Sequence, residues 1–267
     1  MICITVSNPR ALVIFCMLFL APLVCTSEEE IELPELAAIL KDSVVVLEVD
    51  RGVHGSGIGT GFFISSNGII ATNAHVVESA RRILARTHDD TQIDILTVLA
   101  VDHKNDLALV QAAPGQYSPL RIGESSAVRT GEEIVILGNP LGLDFTLSSG
   151  IVSAVRGANA LNGAGPEVPH LQITAPISFG SSGSPVLTLS GAVVGVVISG
   201  YVAAQNLNFA IPSERLMELQ AASADSPEEK ELSSGISLLP LAISAVFFAV
   251  LGFIYFRFLR EPKGVST

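Results

Sequence analysis

Three short segments of the chain contain residue types that together can hydrolyse an acyl bond. His75 lies in TNAHVV (72–77), Asp106 in NDLAL (105–109) and Ser182 in GSSGSP (180–185). A serine hydroxyl is a poor nucleophile at neutral pH and needs a base to take its proton. A buried carboxylate fixes the tautomer of a histidine base and stabilises its imidazolium. Since His, Asp, Ser is one of the known chain orders for such a triad, we favour catalysis over three ordinary polar residues of a β domain.

The segments around these residues have the pattern of many short strands. Apolar, β-branched runs recur between residues 43 and 111, and a second set follows between residues 133 and 211. Two sets of about six strands predict an all-β fold of two packed six-stranded antiparallel β-barrels. Ser213 is a good N-cap, so we expect a short C-terminal helix over 213–222. The glycine-rich stretch 55–61 lacks the Lys-Ser/Thr and the helix of a phosphate loop and is interpreted as a hairpin loop.

Composition excludes several classes of function. The chain has 267 residues and a formal net charge of −11, and an acidic chain without a basic patch argues against nucleic-acid binding. Its three cysteines are Cys3, Cys16 and Cys25, so the segment beyond them cannot form a disulfide or a cysteine metal site. His54, His88 and His103 lack metal-ligand spacing. We therefore expect neither a metal nor an organic cofactor.

The N-terminal segment resembles a targeting signal. An apolar run over 11–24 follows Arg10, which is the layout of a secretory signal peptide within residues 1–27. The run is short for a transmembrane helix, which favours cleavage, and the alternative is a retained N-terminal membrane segment. The folded domain is then expected over 28–220.

The C-terminal segment predicts a membrane anchor. Residues 221–235 have the composition of an acidic linker, and residues 236–256 are uncharged and mostly apolar. At about 1.5 Å per residue, 236–256 would span roughly 31 Å, which matches a bilayer core. Because basic residues (Arg257, Arg260, Lys263) follow, 257–267 is predicted to be a cytoplasmic tail. The protein is thus expected to be membrane-inserted, single-pass (two-pass if the N-terminal segment is retained), with the folded domain outside the cytoplasm.

Several motifs in order give the chain a family resemblance, over about residues 43–219. They are GTGFFI (59–64), IATNAHVV (70–77), NDLALV (105–110), LGNPLG (137–142), SGIVS (149–153), GSSGSPV (180–186) and FAIPS (209–213). The chain resembles the HtrA/Deg type of trypsin-like serine protease. The resemblance implies an active site in the cleft between the barrels, with His75 and Asp106 from the first barrel and Ser182 from the second.

By this resemblance, Ser182 is the nucleophile, His75 the general base and then acid, and Asp106 the orienting carboxylate. The loop Gly180-Ser181-Ser182 would form the oxyanion hole through the N–H groups of Gly180 and Ser182. The chain departs from the family in having Ser184 two residues after the nucleophile and Ser178-Phe179 before the nucleophile loop. The acidic linker (221–235) and the predicted membrane helix (236–256) also take the place of the PDZ domain that the family carries.

The resemblance also indicates a substrate pocket and a function. Pro176 replaces the acid of tryptic enzymes, and Ile198, Ser199 and Gly200 are apolar or small, which favours cleavage after small or medium apolar residues. We therefore predict a membrane-anchored extracytoplasmic serine endopeptidase for unfolded or damaged polypeptides, in a family that commonly forms homotrimers. The alternative is a catalytically silent module that binds peptides or partner proteins at the membrane, and a third is a holdase role alongside proteolysis.

Overall fold

A computed structural model describes residues 31–139, 145–158, 169–198, 207–225 and 230–231. The expected fold class is confirmed, because the described strands form two closed, six-stranded antiparallel barrels. The predicted signal segment (1–27), transmembrane helix (236–256) and tail (257–267) lie outside the described residues. Within the described part of the chain, no helix is long and apolar enough to cross a membrane.

The first barrel has the order β5-β4-β1-β2-β3-β6 and is closed by pairing of β5 with β6. Its strands are β1 Val44–Asp50, β2 Ser56–Phe63, β3 Ile69–Thr72, β4 Arg82–Arg86, β5 Gln92–Asp102 and β6 Leu107–Ala112. Side chains alternate along β1: Val45 and Leu47 belong to the core inside this barrel, whereas Val44 packs into a separate cluster that joins residues of both barrels. This period of two is what a strand with both faces covered requires.

The second barrel has the order β11-β8-β9-β10-β13-β12 and is closed by pairing of β11 with β12. A short strand, β7, pairs parallel with β12. The strands are β7 Arg121–Ile122, β8 Glu133–Gly138, β9 Thr146–Arg156, β10 His170–Ile173, β11 Pro185–Thr188, β12 Ala192–Ile198 and β13 Asn208–Pro212. The cluster between the barrels includes Phe62 and Leu109 of the first and Leu137 and Ile211 of the second. It therefore fixes the two strand systems against each other.

Among the described residues, three α-helices accompany the strands: α1 Leu33–Lys41, α2 Ala74–Val77 and α3 Ser213–Asp225. Helix α1 was not predicted, although Pro34 in its first turn and the buried Leu36 and Leu40 are typical of a helix with one apolar face. Helix α3 continues to Asp225, so the start of the predicted linker is helical. Further along, strand β14 (Lys230–Glu231) pairs with β5.

The glycine-rich stretch 55–61 is mostly strand, which corrects the hairpin-loop prediction. A 3-10 helix (Gly52–His54) makes the turn, and β2 already begins at Ser56. A Cβ on Gly59 would lie 2.7 Å from Val76, and one on Gly61 would lie 2.6 Å from Ile70. These glycines therefore serve close packing rather than loop flexibility.

Candidate active site

The pairing of β3 with β6 brings His75 and Asp106 together. In that register Thr72 is opposite Ala108. His75 follows Thr72 by three residues in α2, and Asp106 precedes Ala108 by two residues in the turn after β5. Residues 31 apart in sequence are thus neighbours because two short strands are paired.

Both carboxylate oxygens of Asp106 are engaged by His75. The distance from His75 Nδ1 to Asp106 Oδ2 is 2.7 Å, and the His75 backbone N–H donates to Oδ1 at 3.0 Å. The side chain of Asp106 is 21% exposed and that of His75 is 43% exposed. The carboxylate is therefore sheltered while the imidazole can meet a substrate, and Nε2 is the ring nitrogen that remains for proton transfer.

The turn that presents Asp106 has an unusual backbone. Asp106 has a φ of 52°, in the left-handed region that aspartate tolerates better than most residues. The Asp102 carboxylate accepts the backbone N–H of Asn105 at 3.0 Å, and the Asn73 side-chain amide donates to the carbonyl of Asp106 at 2.9 Å. These bonds hold Asp106 on both sides of its strained position.

Ser182 lies on a loop shaped by two glycines and bonded to the first barrel. Gly180 and Gly183 have φ of 95° and 86°. The Thr60 N–H donates to the carbonyl of Ser182, and the Thr60 hydroxyl donates to the carbonyl of Gly180, both at 2.8 Å. A Cβ on Gly183 would lie 2.1 Å from the carbonyl oxygen of Thr60, so only glycine fits there.

The predicted oxyanion loop contains a hydrogen-bonded tight turn. The N–H of Ser181 donates to the carbonyl of Ser178 at 3.0 Å, which closes a tight turn before Ser182. This donor is therefore already engaged, and Ser181 supports the loop instead of offering its N–H. The N–H groups of Gly180 and Ser182 remain the predicted oxyanion donors.

Ser184, at the position where the resemblance leads us to expect glycine, is hydrogen-bonded through its backbone, while its buried hydroxyl has no hydrogen-bond partner among the described residues. It is fully buried, its N–H donates to the carbonyl of Ser181 at 3.0 Å, and its carbonyl accepts from Val197 at 2.9 Å. A Cβ on Gly138 would lie 2.2 Å from the Ser184 hydroxyl oxygen. Gly138 therefore provides the space for the extra side chain.

A cavity of about 170 Å³ borders the nucleophile loop. Of the predicted pocket residues, Pro176 lines it, Ile198 does not, and Ser199 and Gly200 lie outside the described residues. None of its described lining residues is charged. They are Ile136, Gly138, Thr146, Ser148, Pro176, Ile177, Ser178 and Ser181.

A larger, open cleft of about 510 Å³ lies on the first barrel and is also lined by Phe179, which belongs to the same loop. Its lining includes Glu48, Asp50, Ile58 and Arg82, and it ends at Phe179, which is 69% exposed. The nucleophile loop thus contributes residues to both an uncharged cavity on the second barrel and a partly charged cleft on the first.

The sequence predictions missed residues that hold the site without reacting. Thr60, Thr72 and Asn73 all stand inside the quoted motifs, where a buried hydroxyl or amide signals a hydrogen-bonding role. The Thr72 hydroxyl donates to the carbonyl of Thr60 at 2.7 Å and so joins β3 to β2 behind the nucleophile loop. Arg51, which contacts the helix of His75, lies outside every motif.

Residues 59–196 match the family described as trypsin-like peptidase domain. The chain therefore belongs to the trypsin-like peptidase family. It is 36% identical over 197 residues to serine protease HTR4 of Rattus norvegicus, covering 71% of this chain and 40% of that protein. It is 38% identical over 157 residues to the putative serine protease HhoB of Synechocystis, covering 58% of this chain and 38% of that protein.

A solved structure agrees with these sequence matches. The HtrA-type protease AlgW with tripeptide superimposes with a TM-score of 0.66 at 25% identity, covering 78% of this chain and 71% of that chain. The predicted resemblance to HtrA-type proteases is therefore confirmed. The chain spans less than half the length of the curated relatives cited here.

Proposed function

We propose that the protein is a serine endopeptidase that hydrolyses polypeptides through an acyl-enzyme on Ser182. The observation that carries this proposal is the double engagement of Asp106 by the ring and the backbone N–H of His75. That arrangement fixes the tautomer in which Nδ1 is protonated and Nε2 is a base. It serves no evident purpose in an ordinary β-barrel.

The proposed reaction has two halves. His75 Nε2 takes the proton of the Ser182 hydroxyl as Oγ bonds to the substrate carbonyl carbon, and the Gly180 and Ser182 N–H groups stabilise the resulting oxyanion. His75 then gives the proton to the leaving amine as the C–N bond breaks. Water, deprotonated by His75, attacks the acyl-enzyme, and the proton returns to Ser182 Oγ as the acid product leaves.

The apolar cavity beside Pro176 supports a preference for small or medium apolar residues before the scissile bond. A volume of about 170 Å³ with no described charge offers no partner for a lysine or arginine side chain. Digestion of an unfolded protein followed by mass spectrometry of the termini is expected to show cleavage after Val, Ala or Leu. Cleavage confined to Arg and Lys would contradict this preference.

We further propose that the protease domain is anchored in a membrane, outside the cytoplasm, and acts on unfolded or damaged proteins, with a homotrimer as the family precedent. The support is the apolar segment 236–256 with its basic flank. The full chain is expected to resist alkaline extraction from membranes, whereas a chain without 236–256 should be extracted. Crosslinking of the full chain tests the trimer.

Labelling of the full chain with a fluorophosphonate tests the chemistry directly. Labelling is expected to disappear in Ser182→Ala and His75→Ala, and to persist in Ser126→Ala, a matched serine control that lies away from the loop. A folded wild-type protein that takes no label but binds unfolded polypeptide would instead favour the silent binding module.

A further inference from the structure

The helix that carries His75 is too short to be stable alone. Helix α2 has four residues, and its internal bond joins the N–H of Glu78 to the carbonyl of Ala74 at 3.0 Å. A single helical turn lies below the length at which helices persist in water. The last carbonyls of any helix also lack partners within the helix. The orientation of His75 must therefore come from contacts outside α2.

The side chain of Arg51 supplies contacts at the C-terminal end of α2. Its Nη2 donates to the carbonyl of Val76 at 2.8 Å and to that of His75 at 3.2 Å. Its Nε donates to the carbonyl of Glu78 at 2.9 Å. A planar guanidinium can satisfy several carbonyls at once, and its charge is favourable at the negative end of a helix.

The hairpin between β1 and β2 is built to deliver this guanidinium. The backbone N–H of Arg51 donates to the carbonyl of Gly55 at 2.9 Å, which closes the turn. A Cβ on Gly57 would lie only 2.0 Å from Nη1 of Arg51, so the side chain passes over β2 where there is no side chain. The absence of a side chain at Gly57 therefore makes room for the Arg51 guanidinium.

We propose that Arg51 is a positioning residue for His75. Asp106 accepts the backbone N–H of His75, and Arg51 binds the carbonyl of the same residue, so the backbone of the proposed base is held at both ends. The inference rests on the proposed function, in which His75 moves protons. Without Arg51, the carbonyl of His75 loses this hydrogen bond. The imidazole of His75 then spends part of the time away from its position between Asp106 and Ser182.

The test compares Arg51→Met with Arg51→Lys in the full chain, with Arg215→Met as the matched control. Arg215 forms an exposed ion pair with Glu218 on α3. For a peptide substrate, Arg51→Met is expected to lower kcat about 10- to 100-fold with KM nearly unchanged, because misplacement by about 1 Å costs rates of that order. Arg51→Lys should recover part of kcat, since an ammonium can satisfy some of the carbonyls. Arg215→Met should match the wild type.

A second readout does not need turnover. The proton on His75 Nδ1 that faces Asp106 is expected to give a downfield NMR resonance in the wild type, and to broaden or shift in Arg51→Met but not in Arg215→Met. If the wild type shows this resonance without hydrolysing peptides, the proposed function fails while the positioning role stands. An unchanged resonance together with wild-type kcat in folded Arg51→Met would overturn the positioning role.

Gly57→Ala provides a variant that keeps the arginine. The added Cβ would meet Nη1 of Arg51 at 2.0 Å and force the guanidinium to shift, so this variant is expected to lower kcat and alter the resonance in the same direction as Arg51→Met, but less strongly. It also covers the case in which Arg51→Met does not fold. Wild-type kcat and resonance in Gly57→Ala would count against the proposal.

Discussion

The first barrel holds its part of the site with side chains, whereas the second barrel shapes its part mainly through the backbone. Asp106, Asn73 and Arg51 all bond to the segment around His75 or to the turn opposite it. The loop of Ser182 depends on positive φ at Gly180 and Gly183. The two halves of the candidate active site thus depend on different physical properties.

The difference predicts how each half responds to substitution. Removing a charge or a donor in the first barrel should alter chemistry while the barrel stays folded, because the affected groups lie in turns and a short helix. Adding a methyl group to the loop in the second barrel should disturb both stability and chemistry, because the loop packs against Thr60 with no spare space.

The largest effect in the first barrel is expected for Asp106→Asn. A neutral amide no longer stabilises the imidazolium and can favour the wrong tautomer, so kcat should fall about 10⁴-fold. Asparagine tolerates the φ of 52° at this position, so the fold should persist. Peptide hydrolysis measures kcat, and thermal unfolding measures whether the fold persists.

The control for this prediction is Asp94→Asn, which removes only an exposed ion pair with Arg82. A kcat within tenfold of wild type would contradict the role of Asp106.

The corresponding test in the second barrel compares Gly183→Ala with Gly131→Ala. Both glycines have positive φ, but a Cβ on Gly131 meets nothing within 4 Å, whereas one on Gly183 meets the Thr60 carbonyl at 2.1 Å. Gly131→Ala should cost about 1 kcal/mol through backbone strain alone. Gly183→Ala should cost roughly 3 kcal/mol or more, since overpacking is added. Urea unfolding measures both, and equal losses would show that the loop has room to adjust.

The hydroxyl of Thr60 links the two halves, and Thr60→Val isolates that link. Removal of the donor leaves the Gly180 carbonyl without this bond, which should cost about 1–3 kcal/mol. Because the Gly180 N–H is a proposed oxyanion donor, we expect kcat to fall about tenfold, less than for complete loss of a donor. Thr188→Val, on β11 away from the site, is the control. Unchanged kcat would mean that the loop holds its geometry without Thr60.

The barrels could be predicted, and the candidate triad could be proposed, because both rest on strong local signals. His75, Asp106 and Ser182 stand in distinctive motifs, and the barrel strands have a clear alternation of apolar residues. The pairing of strands then determines which residues become neighbours. The register of β3 with β6, which brings His75 close to Asp106, is a tertiary property. The sequence therefore indicated the candidate residues but not the 2.7 Å contact between His75 and Asp106.

The supporting contacts could not be predicted because they join distant, weakly marked residues. Arg51 lies 24 residues before His75 in a turn with no motif. The sequence predicts a hairpin loop around Gly57, because a glycine can indicate either a turn or a position without space for a side chain, and only the position of a neighbour distinguishes the two. Likewise, β7 is two residues long and gives no periodicity to detect.

The smallest expected effect concerns Glu214, a carboxylate of α3 that, like Asp106, accepts a backbone N–H. Burial raises the pKa of this group, but hydrogen bonds from the Ser125 hydroxyl and the Ser126 N–H outweigh burial, and the net pKa is lowered. A lowered folded-state pKa stabilises the protein above the ordinary pKa of glutamate, and this stability is lost as pH falls through the folded value. Because the Glu214 side chain is only partly buried, solvent weakens this effect, and Glu214→Gln should cost only about 0.5 kcal/mol at neutral pH. The difference in the free energy of unfolding between wild type and Glu214→Gln, measured in urea, should vanish in acid, and kcat should be unchanged.

A loss of kcat in Glu214→Gln would show that a side chain of α3 also contributes to the geometry of the candidate site. A difference in stability that does not depend on pH would show that the charge of Glu214 is not its cause.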